Sequence, residues 1–325
     1  ALASGEPCLI LLGGAGLHRD GLEAASRLAA ATTARLLGET FPARHERGAG
    51  RPAVPRLAYL AEFATAQLAG VRHLILAGAR SPVSFFAYPG LAGSLVPAGC
   101  QVHVLAEPGE DVAASLGALA GLAAPGARAV PQPASRPPVP DGELTAETAA
   151  AVIGALLPEA AIVCDEANTS GLWLPGATQG APPHDWLTLT GGAIGQGLPL
   201  ATGAAVACPD RPVLALEADG SALYTVTALW TQAREQLDVT TIIFGNGRYA
   251  ILGLELDRVG ASGTGQAARD LLDLTRPAIG FTGLATGLGV PASRATTAGE
   301  LAAQLSRALA EPGPHLIETV LPAPF

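Results

Sequence analysis

Short apolar runs and amphipathic stretches take turns along most of the chain. Cys8–Leu12 is the first run and ends in Gly13-Gly14-Ala15-Gly16. A helical period follows over residues 20–31, and then a second run at Ala34–Leu37. The same reading gives a helix over Leu57–Leu68, strands at Leu74–Ala77 and Gln101–Leu105, and a helix over Asp111–Leu122. Further on it gives a helix from Thr145 to Leu157 and strands at Ala160–Cys164, Val213–Leu216 and Val239–Phe244. Between the last two strands Leu223, Val226, Leu229 and Trp230 fall on one helical face. Helix-like runs at Asp270–Thr275, Ala278–Leu288 and Thr297–Leu309 precede a last strand at His315–Leu321. Fully apolar strands alternating with helices predict an α/β fold, with mostly parallel sheets flanked by helices.

The pattern breaks once. Residues 124–140 read APGARAVPQPASRPPVP, with six prolines and no periodicity. Such a stretch reads as a linker, or as a PxxP recognition segment. As a linker it separates a Rossmann-like domain at residues 1–123 from a second α/β domain at 141–325. The Gly13–Gly16 turn fits a tight strand-to-helix turn, because no GxGxxG follows it and no acidic residue is assigned to the ribose position. Gly191 to Pro199 (GGAIGQGLP) is a second glycine-rich strand-to-helix turn.

Composition narrows the function. Hydrophobic residues make up 49% and aromatics only 4%, so the cores are built from Ala, Leu and Val. The net charge of −9, without a basic stripe, argues against nucleic acid as a partner. No apolar run reaches the roughly 18 residues of a membrane span. The start, ALASGEP, has no signal-peptide pattern, and Cys8, Cys100, Cys164 and Cys208 are scattered. Reduced thiols and a cytoplasmic location are expected from these features. All 19 basic residues are Arg and Met is absent, which suggests a GC-rich genome and a chain that begins inside a longer protein.

The candidate chemistry lies at strand ends, where open α/β sheets bind ligands. Asp219-Gly220-Ser221 closes one run and Gly245-Asn246-Gly247-Arg248 the next, one helical crossover later. A carboxylate and a carboxamide so placed could share Mg²⁺, which takes one or two protein oxygens and completes its shell with phosphate and water. The backbone carbonyl of Arg248 could be a third ligand. The N–H groups of Gly220 and Ser221, at a helix start, could receive phosphate oxygens. Either turn alone fits ordinary turn chemistry. Together, with one of only two Asn in the chain at the second turn, they favour a metal-held diphosphate. The loop Asp165-Glu166-Ala167-Asn168-Thr169-Ser170 ends another strand and fits either a phosphate contact or helix capping. His18, His45 and His184 read as loop residues with surface or turn roles. Leu254–Gln266 reads as a mobile cover over the site.

Ala218-Asp219-Gly220-Ser221, followed by a helix, a strand and Gly245-Asn246, resembles the signature of thiamin-diphosphate-dependent enzymes. Ala218 and Gly245 depart from that pattern, while the ligand positions Asp219 and Asn246 are intact. The wording from Ser221 to Leu252 is most similar to benzoylformate decarboxylases. The resemblance implies thiamin diphosphate with Mg²⁺ on Asp219, Asn246 and the Arg248 carbonyl. It further implies cofactor contacts at Asn168, Thr169, Gly220, Ser221, Tyr249 and Ile251. The Gly192 carbonyl would meet the aminopyrimidine, and Ile194 would prop the bent cofactor. Residues 1–123 would be the family's middle domain and 141–325 its diphosphate-binding domain. The pyrimidine-binding domain, with the glutamate that protonates the ring, is not in this chain. It would come from a preceding segment or a partner chain, in a homodimer or tetramer. Arg80–Gly90 lacks the acidic-arginine segment of flavin-binding acetolactate synthases, so no FAD is expected. The activity implied is a 2-oxo acid decarboxylase or carboligase of the acetolactate synthase large-subunit type. Glu166 to Thr169 is also similar to 2-hydroxyacyl-CoA and oxalyl-CoA lyases, which would take an acyl-CoA. A catalytically incomplete cofactor-binding subunit of a split enzyme is the reading of another class.

Overall fold

The computed structural model describes residues 1–88, 90–261 and 265–322. They form two compact units, Ala1–Pro133 and Ala134–Phe325. The boundary falls inside the proline-rich stretch, and each half of that stretch is tied to its own unit. Val130 N–H donates to Ser26 Oγ in the first unit, and Ser135 N–H to the Gly180 carbonyl in the second.

The first unit contains β1 (Cys8–Leu12), α1 (Arg19–Thr32), β2 (Arg35–Gly38) and β3 (His45–Arg47). It continues with α2 (Ala61–Leu68), β4 (His73–Ala77), β5 (Gln101–Ala106) and α3 (Val112–Ala123). Four strands form a parallel sheet in the order β2-β1-β4-β5. β1 is buried at every position, because alternate residues enter opposite cores. Cys8, Ile10 and Leu12 pack with residues of α1 and α3, while Leu9 and Leu11 pack with residues of α2. An unbroken apolar strand is what a sheet covered on both faces requires.

The second unit opens with α4 (Ala146–Leu156), β6 (Ile162–Glu166), α5 (Leu174–Ala177), β7 (His184–Thr188) and α6 (Gly197–Ala207). There follow β8 (Val213–Ala218), α7 (Asp219–Thr225), α8 (Ala228–Arg234), β9 (Val239–Gly245) and α9 (Ala250–Arg258). It closes with α10 (Gln266–Asp270), α11 (Phe281–Gly287), β10 (Ala292–Ala295), α12 (Ala298–Ala308) and β11 (His315–Val320). Its own six strands run β10-β11-β9-β8-β6-β7, all parallel. The α/β class with parallel sheets is therefore as expected.

Several local expectations are corrected. The helix expected from Leu57 starts at Ala61. β6 and β8 run two residues past the strand ends read from the sequence, so Glu166 and Glu217 are strand residues. The single amphipathic helix after β8 is two short ones, α7 and α8. Of its supposed buried face Leu229 is buried, whereas Leu223 and Trp230 are exposed. His45 and His184 lie buried in β3 and β7 rather than in surface loops. The expected cover at Leu254–Gln266 begins as the end of α9 and ends at the first residue of α10. Its residues 262–264, like residue 89 of the Arg80–Gly90 segment, lie outside the described residues.

Candidate functional site

The carboxyl ends of β6, β8 and β9 lie side by side, and polar side chains tie them together. Gly247 N–H, just past β9, donates to Asp219 Oδ2 at 2.7 Å, and Gly220 N–H donates to Oδ1 at 2.8 Å. Asn246 Nδ2 donates to Ser170 Oγ at 3.2 Å, and Asn246 Oδ1 accepts Arg248 N–H at 3.0 Å. Asn168 Nδ2 donates to the Glu166 carbonyl and, at 3.3 Å, to Ser221 Oγ. One side-chain contact thus joins each pair of these three strand ends. Asn168 is exposed with a positive φ of 51°, a conformation that asparagine tolerates better than most residues.

Asp219 and Asn246 are both buried. Burial pushes the Asp219 carboxyl up, opposed by the N–H groups of Gly247, Gly220 and Asn246. Among the described residues no cationic side chain pairs with it. A buried carboxylate offset only by backbone dipoles is an incomplete arrangement that a cation would complete. The donor set of one carboxylate, one carboxamide and backbone carbonyls suits Mg²⁺, which leaves several positions to phosphate and water. Among the described residues no cluster of three His, Cys, Asp or Glu side chains offers a metal cage. The oxygens needed beyond these would be those of a phosphate ligand.

The other candidates surround this centre. The Gly220 N–H is occupied by Asp219 Oδ1, so of the two amides expected to meet a phosphate only Ser221's is not drawn to that carboxylate. Ser221 Oγ donates to the Ala218 carbonyl at 3.1 Å and closes the first turn of α7. The Tyr249 ring lies where a side chain on Gly220 would be, and its hydroxyl reaches the Gly220 carbonyl at 3.5 Å. Thr169 and Ile251 are half-buried nearby in sequence to Ser170 and Tyr249. Gly191 and Gly192 both have φ of 67°, which only glycine adopts without strain. Ile194 is exposed on the same turn.

Sequence reasoning assigned no place in the site to Ser170, Glu166 or Glu217. Ser170 orients the Asn246 amide. Glu166 and Glu217 are register partners on β6 and β8 and are almost completely buried. Alternation explains their direction. Ile162 and Cys164 on β6, and Val213 and Ala215 on β8, pack into the core under α6, so the next residue of that parity on each strand faces α6 too. Burial raises Glu166, against the N–H groups of Gly197, Gly195 and Gln196. Burial, and then the charges of Glu166 and Asp165, push Glu217 well above the usual carboxylate range. The available signal was the shared register of two acids that each end an apolar run.

Residues 169–319 match the family profile described as "Thiamine pyrophosphate enzyme, C-terminal TPP binding domain". The chain's second unit belongs to this domain family. The whole chain is 63% identical, over 99% of its length, to the protein named "Putative acetolactate synthase large subunit IlvX" of Mycobacterium tuberculosis (strain ATCC 25618 / H37Rv). It spans 62% of that relative's length. A benzoylformate decarboxylase of Pseudomonas aeruginosa is 34% identical over 70% of this chain and 44% of its own. A Rhodococcus jostii RHA1 thiamine diphosphate-dependent 4-hydroxybenzoylformate decarboxylase superposes with a TM-score of 0.77. That match has 25% identity and covers 98% of this chain and 61% of the other. Thiamin-diphosphate enzymes of both the synthase and the decarboxylase kind are thus similar to it, as the motif resemblance implies.

Proposed function

We propose that this chain is the cofactor-anchoring part of a Mg²⁺-dependent 2-oxo acid decarboxylase or carboligase of the acetolactate synthase large-subunit type. The observation that carries the reading is Asp219 and the Asn246–Arg248 turn, tied together at the ends of adjacent strands, the buried carboxylate having no cationic side chain paired with it among the described residues. Asp219, the Asn246 carboxamide and the Arg248 carbonyl would hold the metal, and Asn168, Thr169, Ser221, Tyr249 and Ile251 would flank the diphosphate. Gly192 and Ile194 would meet the ring end. When bound, thiamin diphosphate supplies the electron sink for a 2-oxo acid. This chain's residues anchor it, orient it and exclude water. On this reading residues 1–123 are the family's middle domain, and the chain works with a pyrimidine-binding domain in a homodimer or tetramer.

Calorimetric titration of thiamin diphosphate at limiting Mg²⁺ tests the anchoring. Asp219→Ala should weaken binding more than tenfold, and equal affinity in wild type and variant would remove the assignment. Turnover of pyruvate, benzoylformate and acyl-CoA substrates by the chain joined to a pyrimidine-binding domain tests the rest. Release of CO₂ from a 2-oxo acid supports the reading. Acyl-CoA cleavage alone would select the lyase alternative, and tight binding without any turnover the incomplete-subunit one.

A further inference from the structure

Gly195 and Gly197 turn their N–H groups inward, onto one side chain. Gly195 donates to Glu166 Oε1 and Gly197 to Oε2, and the Gln196 N–H also faces the same carboxylate. These amides lead into α6, an eleven-residue helix whose amino end favours negative charge. Glu166 therefore fills from within the anion-binding position that such a helix start usually offers to a ligand. From the other side Thr225 Oγ1 donates to the Gly195 carbonyl at 2.9 Å.

A turn gripped by its amides presents its other groups elsewhere. Among the described residues no hydrogen bond to the Gly192 carbonyl is recorded, and Ile194 is exposed. Beneath the turn the grip leaves no slack. Glu217 lies against Gly197 so closely that a Cβ there would collide with its Oε1, and that Cβ would also sit 2.9 Å from Glu166 Oε2. Glu217 is fully buried, and among the described residues neither of its carboxyl oxygens has a hydrogen-bond partner. Its contact with Gly197 is packing, so of the two acids it is Glu166 that restrains the turn's N–H groups directionally.

We propose that Glu166 is a positioning residue for the ring end of the cofactor. Its carboxylate gathers the 195–197 amides and thereby fixes the Gly192 carbonyl and the Ile194 side chain. The inference rests on the proposed thiamin diphosphate site, but it concerns a part of that site separate from the diphosphate anchor. Asp219 and Asn246 hold their positions through Gly247 and Ser170, and among the described residues neither is hydrogen-bonded to the Glu166 side chain. Loss of the Glu166 charge should therefore loosen one end of the cofactor and leave the other.

Glu166→Gln is nearly isosteric, but it turns an NH₂ group toward backbone N–H donors. With Mg²⁺ present, its Kd for thiamin diphosphate should rise at least tenfold. Its Kd for inorganic diphosphate, which has no ring, should stay within about twofold of wild type. Amide exchange should accelerate over residues 190–197 and not over 219–225. Equal weakening of both ligands would show a merely structural role and overturn the proposal, as would no weakening of either. If Glu166→Gln does not fold, Thr225→Val, which releases the Gly195 carbonyl, decides by the same ratio of affinities. A wild-type chain that binds diphosphate but gains nothing from the ring also overturns it. A wild-type chain that binds neither would instead sink the cofactor site itself, and this inference with it.

Discussion

Two glycines of α6 meet opposite surroundings, and one substitution should have opposite signs at the two. At Gly197 a methyl group would collide with the buried Glu217 carboxyl, which has no free space to enter. Overpacking of this kind costs about 1–3 kcal/mol. At Gly203, exposed in the same helix, no atom lies within 4 Å of an added Cβ. There alanine removes only the flexibility of the unfolded chain and should stabilise by about 0.5–1 kcal/mol. Urea denaturation of Gly197→Ala and Gly203→Ala reads both, and a stabilised Gly197→Ala would refute the packing described around Glu217. Residue identity alone did not separate these glycines. It did mark Asp219 and Asn246, because a carboxylate and a carboxamide beside glycine at strand ends serve both turns and ligands. Glu217 was invisible for a physical reason: an acid that closes an apolar run reads as the start of the solvated turn, not as the strand's last inward residue.

Among the elements, those with an unbroken apolar run were legible. β1, β4, β8 and β9 stand within two residues of where the pattern put them. β7 was not legible, because HDWLT mixes charge with bulk. Its polar members are buried on specific partners, as where Arg211 reaches Asp185 at 2.7 Å. The helical period from Leu223 to Trp230 that suggested one helix after β8 hid the break between α7 and α8. Nor did the sequence disclose what supports the metal turn. The Leu272–Leu274 segment docks on it through Leu274 N–H to the Gly247 carbonyl and Tyr249 N–H to the Leu272 carbonyl, both 2.9 Å. Asp273 staples that segment, accepting from Thr275 N–H, Thr275 Oγ1 and Arg276 Nε. The Thr275 hydroxyl and N–H, with Arg276, hold the Asp273 carboxyl down at about 2. A depressed folded-state value means the staple is fully present above the unfolded value of 3.8 and is lost as pH falls toward 2. Asp273→Asn should therefore speed amide exchange at Gly247 and Tyr249 at neutral pH and abolish the wild type's slowing as pH rises from about 2 to 4. Global stability at pH 7 should stay close to that of the wild type, because the group is at the surface. Exchange at the turn that ignores the substitution would show that the segment does not support it.

Among the described residues there are two sheets of parallel strands, and in each the chain runs outward in opposite directions from one pair of neighbouring strands. In the first unit this pair is β1 and β4, in the second β6 and β8. Open sheets bind ligands outside the carboxyl ends of the strands at such a point. The first is closed by its own backbone. A Cβ on Gly13 would collide with the Gly78 carbonyl, and one on Gly78 would lie 2.7 Å from the Gly13 carbonyl. The Gly14 N–H, which a pyrophosphate would need, is taken by Glu39 Oε1 at 3.2 Å, and burial raises that carboxyl. The second point carries Asn168, Asp219 and the Glu166-held turn. On the proposed function the site belongs to the second sheet, although the two read alike as runs of apolar residues. Thermal unfolding separates them. Thiamin diphosphate with Mg²⁺ at a hundredfold its Kd should stabilise the chain by about 2.7 kcal/mol, a gain that falls to about half or less in Asp219→Ala. FAD at the same concentration should leave the transition where it was, and protein dialysed after purification should show no stoichiometric flavin absorbance. A flavin-dependent rise in Tm that survives Asp219→Ala would place a dinucleotide in the first unit. The Gly13 and Gly78 loops would then have to part to admit it.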